Sequence, residues 1–262
     1  MPLPRSDPSH PPQTFEHRSI RNDKPVLRLL YDDYRRRIET HLSEGPTLEI
    51  GAGSGSLNMP FADVISMDVQ QLPWLDVVAD AHYLPFRQGY FSNIVMIDVF
   101  HHLEAPSLFL EEAGRLLGPG GRLVLIEPAI TPISWIVYNF LHPEPLILGE
   151  DPLANRTTTP GRGPFDSNQA VPTILFGRKR DDFVRAFPAF KLLKNSRFAI
   201  ASYLLSGGFR RWSLLPYALA PVLLRAERRL DKILGFLMAF RMLVVIEKTE
   251  DVPNAPNAKA HS

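Results

Sequence analysis

The sequence predicts an α/β domain built on a doubly wound, largely parallel sheet, and three observations lead there. At Thr47–Ser56 the run T-L-E-I-G-A-G-S-G-S is a short apolar strand that breaks into a turn with glycine at 51, 53 and 55. Further short apolar runs end on or next to carboxylates, at Asp68, Asp80, Asp98 and Glu127. These runs alternate with helical or turn-rich stretches, the pattern of β-α-β units joined by right-handed crossovers.

Taken in order, residues 1–22 are rich in proline and lack the apolar core of a signal peptide, so they are expected to form a disordered arm. Between Asp23 and His41, apolar residues at Val26, Leu29, Leu30, Tyr34 and Ile38 fall near helical spacing. After the glycine turn a helix is expected from about Ser56. Strands follow at Val64–Met67, Asp76–Ala79 and Tyr90–Ile97, then a helix at Pro106–Leu117. The turn Pro119-Gly120-Gly121 leads into a strand at Arg122–Glu127. Two long segments, about 129–173 and 206–240, stand outside this repeat and are expected to be lid insertions. Arg241–Lys248 fits a terminal strand, which makes 23–249 a single domain followed by a disordered tail, 250–262.

The turn is the first chemical clue. Glycine tolerates backbone angles that a Cβ resists and lets a ligand lie against the main chain, and a helix starting there would offer its N-terminus. A dinucleotide fingerprint, G-x-G-x-x-G, would need glycine at position 56, which is Ser56. The spacing here is E-x-G-x-G-x-G. A carboxylate at Glu49 suits a ligand bearing an ammonium group better than a pyrophosphate, which favours S-adenosylmethionine over NAD. Asp68 can accept both ribose hydroxyls, and Asp80 can take an exocyclic amine. Each has a plainer alternative: a tight strand–helix turn at the glycines, a solvated strand end at Asp68, a helix cap at Asp80 and a second cap at Asp98.

The series L-E-I-G-A-G-S-G, M-D-V, A-D-A-H-Y-L-P-F, I-D-V-F-H-H-L-E-A-P and L-L-G-P-G-G-R-L-V-L-I-E-P resembles the class I S-adenosylmethionine-dependent methyltransferases. Within them the likeness is to the bacterial group that includes the quinone-biosynthesis methyltransferases. It covers about residues 45–130 in register. The resemblance implies a Rossmann-like, seven-stranded sheet whose last strand is antiparallel, with S-adenosyl-L-methionine as cofactor. It also implies that Glu49, Gly51, Ala52, Gly53 and Gly55 cradle the methionine part. Asp68 and Val69 would hold the ribose, Asp80 and Ala81 the adenine, and Asp98 would lie near the methionine end. If the chain has this fold, the helix expected over Asp23–His41 would cover the cofactor, with Tyr31 or Tyr34 in contact.

For the reaction, transfer of a sulfonium methyl by in-line displacement asks for alignment and water exclusion. A hydroxyl acceptor would also need a general base. His101 and His102 follow the fourth strand where such a base should sit, with Glu127 opposite at the end of the fifth. One of the histidines could instead be structural. A metal site drawn from Asp98, His101, His102 and Glu104 lacks a second ligand cluster in the sequence, and no metal is expected.

The absence of cysteine excludes disulfides, a thiolate nucleophile and cysteine-ligated metals. A net charge of +1 hides an asymmetry: Leu48–Pro128 carries 3 basic and 10 acidic residues, Arg178–Lys232 carries 13 basic and 4 acidic. The basic part could face an anionic acceptor or an anionic membrane surface, although a solvated helical face is the commoner outcome. No nucleic-acid recognition motif accompanies it. In 206–240 neither apolar run reaches the ~20 residues needed to span a bilayer. A helical hairpin packed on the sheet is favoured there over an amphipathic element resting on membrane. The expected location is cytoplasmic, with peripheral contact at the inner face of the membrane left open.

The expectation is therefore methyl transfer to a small or lipid-like acceptor, one that could carry a phosphate, at oxygen or carbon. The alternative is a methyltransferase-like protein that binds the cofactor without turnover.

Overall fold

Strand β1 (Thr47–Ile50) is buried along its whole length and pairs in parallel on both sides. That is why it is a continuous apolar run rather than an alternating one. In the computed structural model, which describes residues 13–55, 57, 63–154, 157, 163 and 165–249, β1 neighbours β2 (Val64–Asp68) and β4 (Phe91–Ile97). Beyond β2 lies β3, only Val77–Val78, and beyond β4 lies β5 (Leu117–Pro128), also parallel. The sheet closes with β7 (Arg241–Lys248), antiparallel to both β5 and β6 (Phe190–Phe198). The order β3-β2-β1-β4-β5-β7-β6 is the seven-stranded, mostly parallel arrangement that the sequence led us to expect.

Helices α1 (Gln13–Asp23) and α2 (Pro25–Glu39) precede the sheet. A 3-10 turn at Phe100–His102 follows β4 and leads to α3 (Pro106–Leu116). After β5 come α4 (Pro132–Leu141), then α5 (Val171–Thr173), which runs on as a π-helical turn, and α6 (Arg180–Ala186). Helices α7 (Ser202–Ser206) and α8 (Ala220–Met238) join β6 to β7. The larger core packs β1, β4, β5 and β7 against α3 and the α5–α6 region, around Phe100, Phe109 and Phe176. On the other face α2 contributes Tyr34 and Ile38.

Three expectations need correction. Residues 13–22 form α1 instead of part of a disordered arm, because Thr14 and Ile20 are buried and the arginines of α1 lie over the glycine turn. Segment 206–240 holds one long helix, α8, in place of the expected helical hairpin, and lies within the connection between β6 and β7. The turn Pro119–Gly121 sits inside β5 as a bulge, since Phe91 pairs with Leu117 but Asn93 already pairs with Arg122. The helix expected from Ser56, the first twelve residues and the tail 250–262 lie outside the described residues.

Candidate functional site

The glycine turn is held against β2 by the Gly51 and Ala52 amides, which donate to the Met67 carbonyl at 2.9 and 3.0 Å. Gly51 has φ +78°, and a Cβ there would stand 2.0 Å from Val99 Cγ2. A Cβ on Gly53 would stand 2.7 Å from Asp68 Oδ2. The turn therefore exists to bring bare main chain up to the Asp68 carboxylate. Asp68 Oδ1 accepts the Gln70 amide at 2.9 Å. Burial pushes its carboxyl pKa up, offset in part by backbone amides. Gly51, Gly53, Asp68, Val69, Asp80 and Ala81 all line one cleft.

Glu49 departs from its expected place beside a ligand ammonium. It is buried, and both its oxygens accept the Leu57 amide, at 3.0 and 3.2 Å, so it braces the turn from behind. Glu49, Ala52 and Gly55 are not among the residues that line the cleft. Arg21 of α1 donates to the Gly55 carbonyl, and Arg18 lies 4.2 Å over the ring of Trp74, whose indole donates to the Gly53 carbonyl at 3.0 Å. So α1 forms a cationic wall over the turn.

Asp80 both caps and lines. Its Oδ1 accepts the His82 amide at 2.9 Å and meets His82 Nδ1 at 2.6 Å, and this hydrogen bond holds its carboxyl below the usual range. The far nitrogen of His82 accepts the Ala105 amide at 3.4 Å, which ties the adenine-side loop to the start of α3.

At the other end of the cleft, Asp98 sits at φ +56°, an unusual conformation for a residue with a side chain. It pairs through both oxygens with Arg241, one contact measuring 2.9 Å. Arg241 is buried, with its guanidinium 3.8 Å from the Tyr203 ring centre. Burial lifts the Asp98 carboxyl, and Arg241 only partly draws it back. The pair joins the end of β4 to the start of β7, a link with no signal in the local sequence.

Glu127 is fully buried. It accepts the Val99, Phe100 and His101 amides at 3.0, 2.8 and 3.4 Å and meets His101 Nδ1 at 2.6 Å. His101 Nε2 lies 3.4 Å from Glu144 Oε2, which also accepts from Ser167 Oγ at 3.0 Å and from Gln169. Burial works against a charged ring, but Glu127, Glu144 and Asp98 outweigh it and push the His101 pKa up to about 10. Glu144 shows the converse: burial raises its carboxyl, yet His101 and the nearby rings bring it down to about 2. His101 is thus an imidazolium between two carboxylates, already protonated and so unsuited to be the base the sequence suggested. His102 is the opposite case. Burial, then the charge of His101, lower its pKa to about 4, so it is neutral. Its Nδ1 lies 3.3 Å from the Asp166 carbonyl, which makes Nδ1 the donor and leaves Nε2 as a proton acceptor.

Glu144 and the Ser167-Asn168-Gln169 run were not singled out beforehand. They lie within the long segment after β5, and a local pattern cannot show that H-P-E-P returns to the histidines. Glu144 also completes a group that the sequence lacked: side-chain atoms of His101, His102 and Glu144 that could ligate a metal lie within 4.8 Å of one another. Lys24 was missed as well. Its ammonium donates to the carbonyls of Gly208, Arg210 and Trp212, each at 2.8 Å, and so fixes the rim of the cleft.

The charge state of His101 gives a pH signature. Its folded pKa of about 10 lies above the ordinary 6.5, so its stabilising contribution is complete below pH 6.5 and is lost as pH rises toward 10. The melting temperature should fall across that window in the wild type and much less in His101→Gln. Parallel profiles would mean that the folded ring is neutral.

Residues 48–125 match the family model described as "Methyltransferase domain". A demethylmenaquinone methyltransferase of Streptomyces avermitilis is 23% identical over 143 residues, 48% of this chain and 61% of that protein. An uncharacterized protein of Methanocaldococcus jannaschii is 27% identical over 105 residues, 37% of this chain and 51% of that protein. The chain thus spans between half and two thirds of the curated relatives it matches. A solved structure from Thermotoga maritima, described as a SAM-dependent methyltransferase and possible histamine N-methyltransferase, superposes with a TM-score of 0.55 at 14% identity. That match covers 91% of this chain and 99% of the other, a likeness of fold. Residues 48–125 are thus similar to a methyltransferase domain, carried on a fold shared with a solved methyltransferase. The cofactor of this chain is S-adenosylmethionine, and the bare turn at Gly51 and Gly53 beside Asp68 fits that molecule.

Proposed function

We propose that the chain transfers a methyl group from S-adenosylmethionine to a small or lipid-like acceptor, at oxygen or carbon. The observation that carries this reading is a single cleft of about 2310 Å³. It runs from the glycine turn past His102 and Glu144 to an apolar wall that includes Val137, Leu141 and Phe209. One small-molecule site takes roughly 300–1,000 Å³, so the cleft has room for a cofactor and an acceptor together.

In this reading Gly51 and Gly53 give the methionine part its main-chain bed, and Arg18 and Arg21 brace the turn through Trp74 and the Gly55 carbonyl. Asp68 and Val69 hold the ribose, and Asp80 and Ala81 take the adenine. The cofactor, when bound, supplies an electrophilic methyl on a cationic sulfonium. The Asp98–Arg241 pair and the Glu127–His101–Glu144 chain keep the strand ends in place around the reacting region. They act as positioning residues. His102, neutral and with Nε2 available, takes the proton if the acceptor is a hydroxyl. Arg210 and Arg211 on the rim suit an acceptor bearing a phosphate. The kinship with a menaquinone-pathway enzyme is consistent with a greasy acceptor.

Calorimetric titration with S-adenosylmethionine is the test. Micromolar binding is expected for the wild type, with loss in Asp68→Ala and Gly53→Val, both checked for folding by circular dichroism. A folded wild type that binds no S-adenosylmethionine would overturn the proposal.

A further inference from the structure

Helix α8 buries one face, through Leu224, Glu227 and Gly235, yet its opposite face is not polar. Val222, Ala226, Leu230, Ile233 and Leu237 recur at helical spacing and are all exposed, Ile233 by 66%. Beside this row runs a second exposed row of Arg225, Arg229 and Lys232, which ends at Phe236. Helix α4 packs against α8 and has no charged residue. It adds exposed Ile133, Ile136, Phe140 and Leu141. Leu214, Tyr217 and Leu219, in the approach to α8, extend the same kind of surface. Soluble monomers rarely leave so many large apolar side chains exposed together unless something covers them. No helix among the described residues is long and apolar enough to cross a membrane.

We propose that this face lies flat on an anionic lipid bilayer, and that the acceptor enters the cleft from the lipid side. Two observations favour a bilayer as the occupant. The apolar row and the basic row are adjacent on one helix, which places side chains at the acyl boundary while the cations meet anionic headgroups. The face also adjoins the cleft: Val137, Tyr138 and Leu141 of α4 line it, as do Arg210, Arg211 and Trp212 on the rim that leads to α8. Arg210 reaches the Leu141 carbonyl across that gap, at 3.4 Å. The entry route rests on the methyl-transfer reading; the docking itself does not.

The experiment is flotation of the full chain, without cofactor, on vesicles of phosphatidylcholine alone or mixed with phosphatidylglycerol. Co-flotation with the mixed vesicles, weakened by salt, is the expected result. The pairs Ile233→Asp with Phe236→Asp, and Arg225→Glu with Arg229→Glu, should each lower the bound fraction about tenfold. All four sites are exposed, and retained S-adenosylmethionine binding would show that the variants still fold. Absence of flotation, or flotation unchanged by both pairs, would overturn the proposal. So would a stable wild-type dimer in sedimentation that the Asp variants split, because a second copy would then cover the face. Since flotation is measured without cofactor, its failure leaves the cofactor assignment standing, and the reverse also holds.

Discussion

Glu127→Ala should cost the fold about 3–5 kcal/mol, the range for removing one partner of a buried ion pair. The carboxylate accepts from three successive amides and from the His101 ring, so its loss strands all four donors away from water. The imidazolium would keep only Glu144, itself 31% exposed, and Asp98, already paired with Arg241, as acidic neighbours. Urea unfolding measures the effect. Glu127→Gln keeps an acceptor for the amides but removes the charge, so its midpoint should fall between wild type and Ala. A loss below about 1 kcal/mol for Ala, the scale of an exposed pair, would mean that the strand ends are fixed by something else.

Arg241→Ala should have a comparable effect, about 3–5 kcal/mol, and should also weaken S-adenosylmethionine binding. The guanidinium is buried, grips both oxygens of Asp98 and lies against Tyr203. Without it Asp98 keeps its left-handed backbone conformation but loses the fork that compensates for its burial. Arg241→Lys should not rescue, because an ammonium can neither fork nor stack in the same way. A double-mutant cycle with Asp98→Ala isolates the pair. The double variant should be less destabilised than the sum of the single ones. Additive losses would show that the two side chains act separately.

The strands that carry the cofactor side were legible because parallel strands covered on both faces must be apolar throughout. L-E-I before the turn and I-V-M-I in β4 have few alternatives. The acids at their tips were legible for the same reason: a carboxylate directly after such a run stands at the sheet edge. Helix α1 was not legible. Q-T-F-E-H-R-S-I-R-N-D is mostly polar, and only contacts made after folding, such as Arg18 on Trp74 and His17 stacked on Phe209, explain its helix. The roles of His101 and His102 could not be separated either, because they depend on Glu144 and Asp166, which arrive from a distant segment. Glu49 shows a further limit. Its place before the glycines was clear, but the direction of its carboxylate was set by the Leu57 amide.

The position of β7 bears on how the protein is made. It follows the other six described strands in the chain, yet it lies inside the sheet, and its first residue anchors Asp98 beside the cofactor turn. A nascent chain can assemble β1 to β5 with an open edge on β5, but that edge and the Asp98 carboxylate stay uncapped until β7 has been made. Ligand-ready protein should therefore accumulate only after β7 has emerged and paired. A stalled nascent chain would expose β5 and β6 together, which makes it a natural client for chaperones that shield unpaired strands.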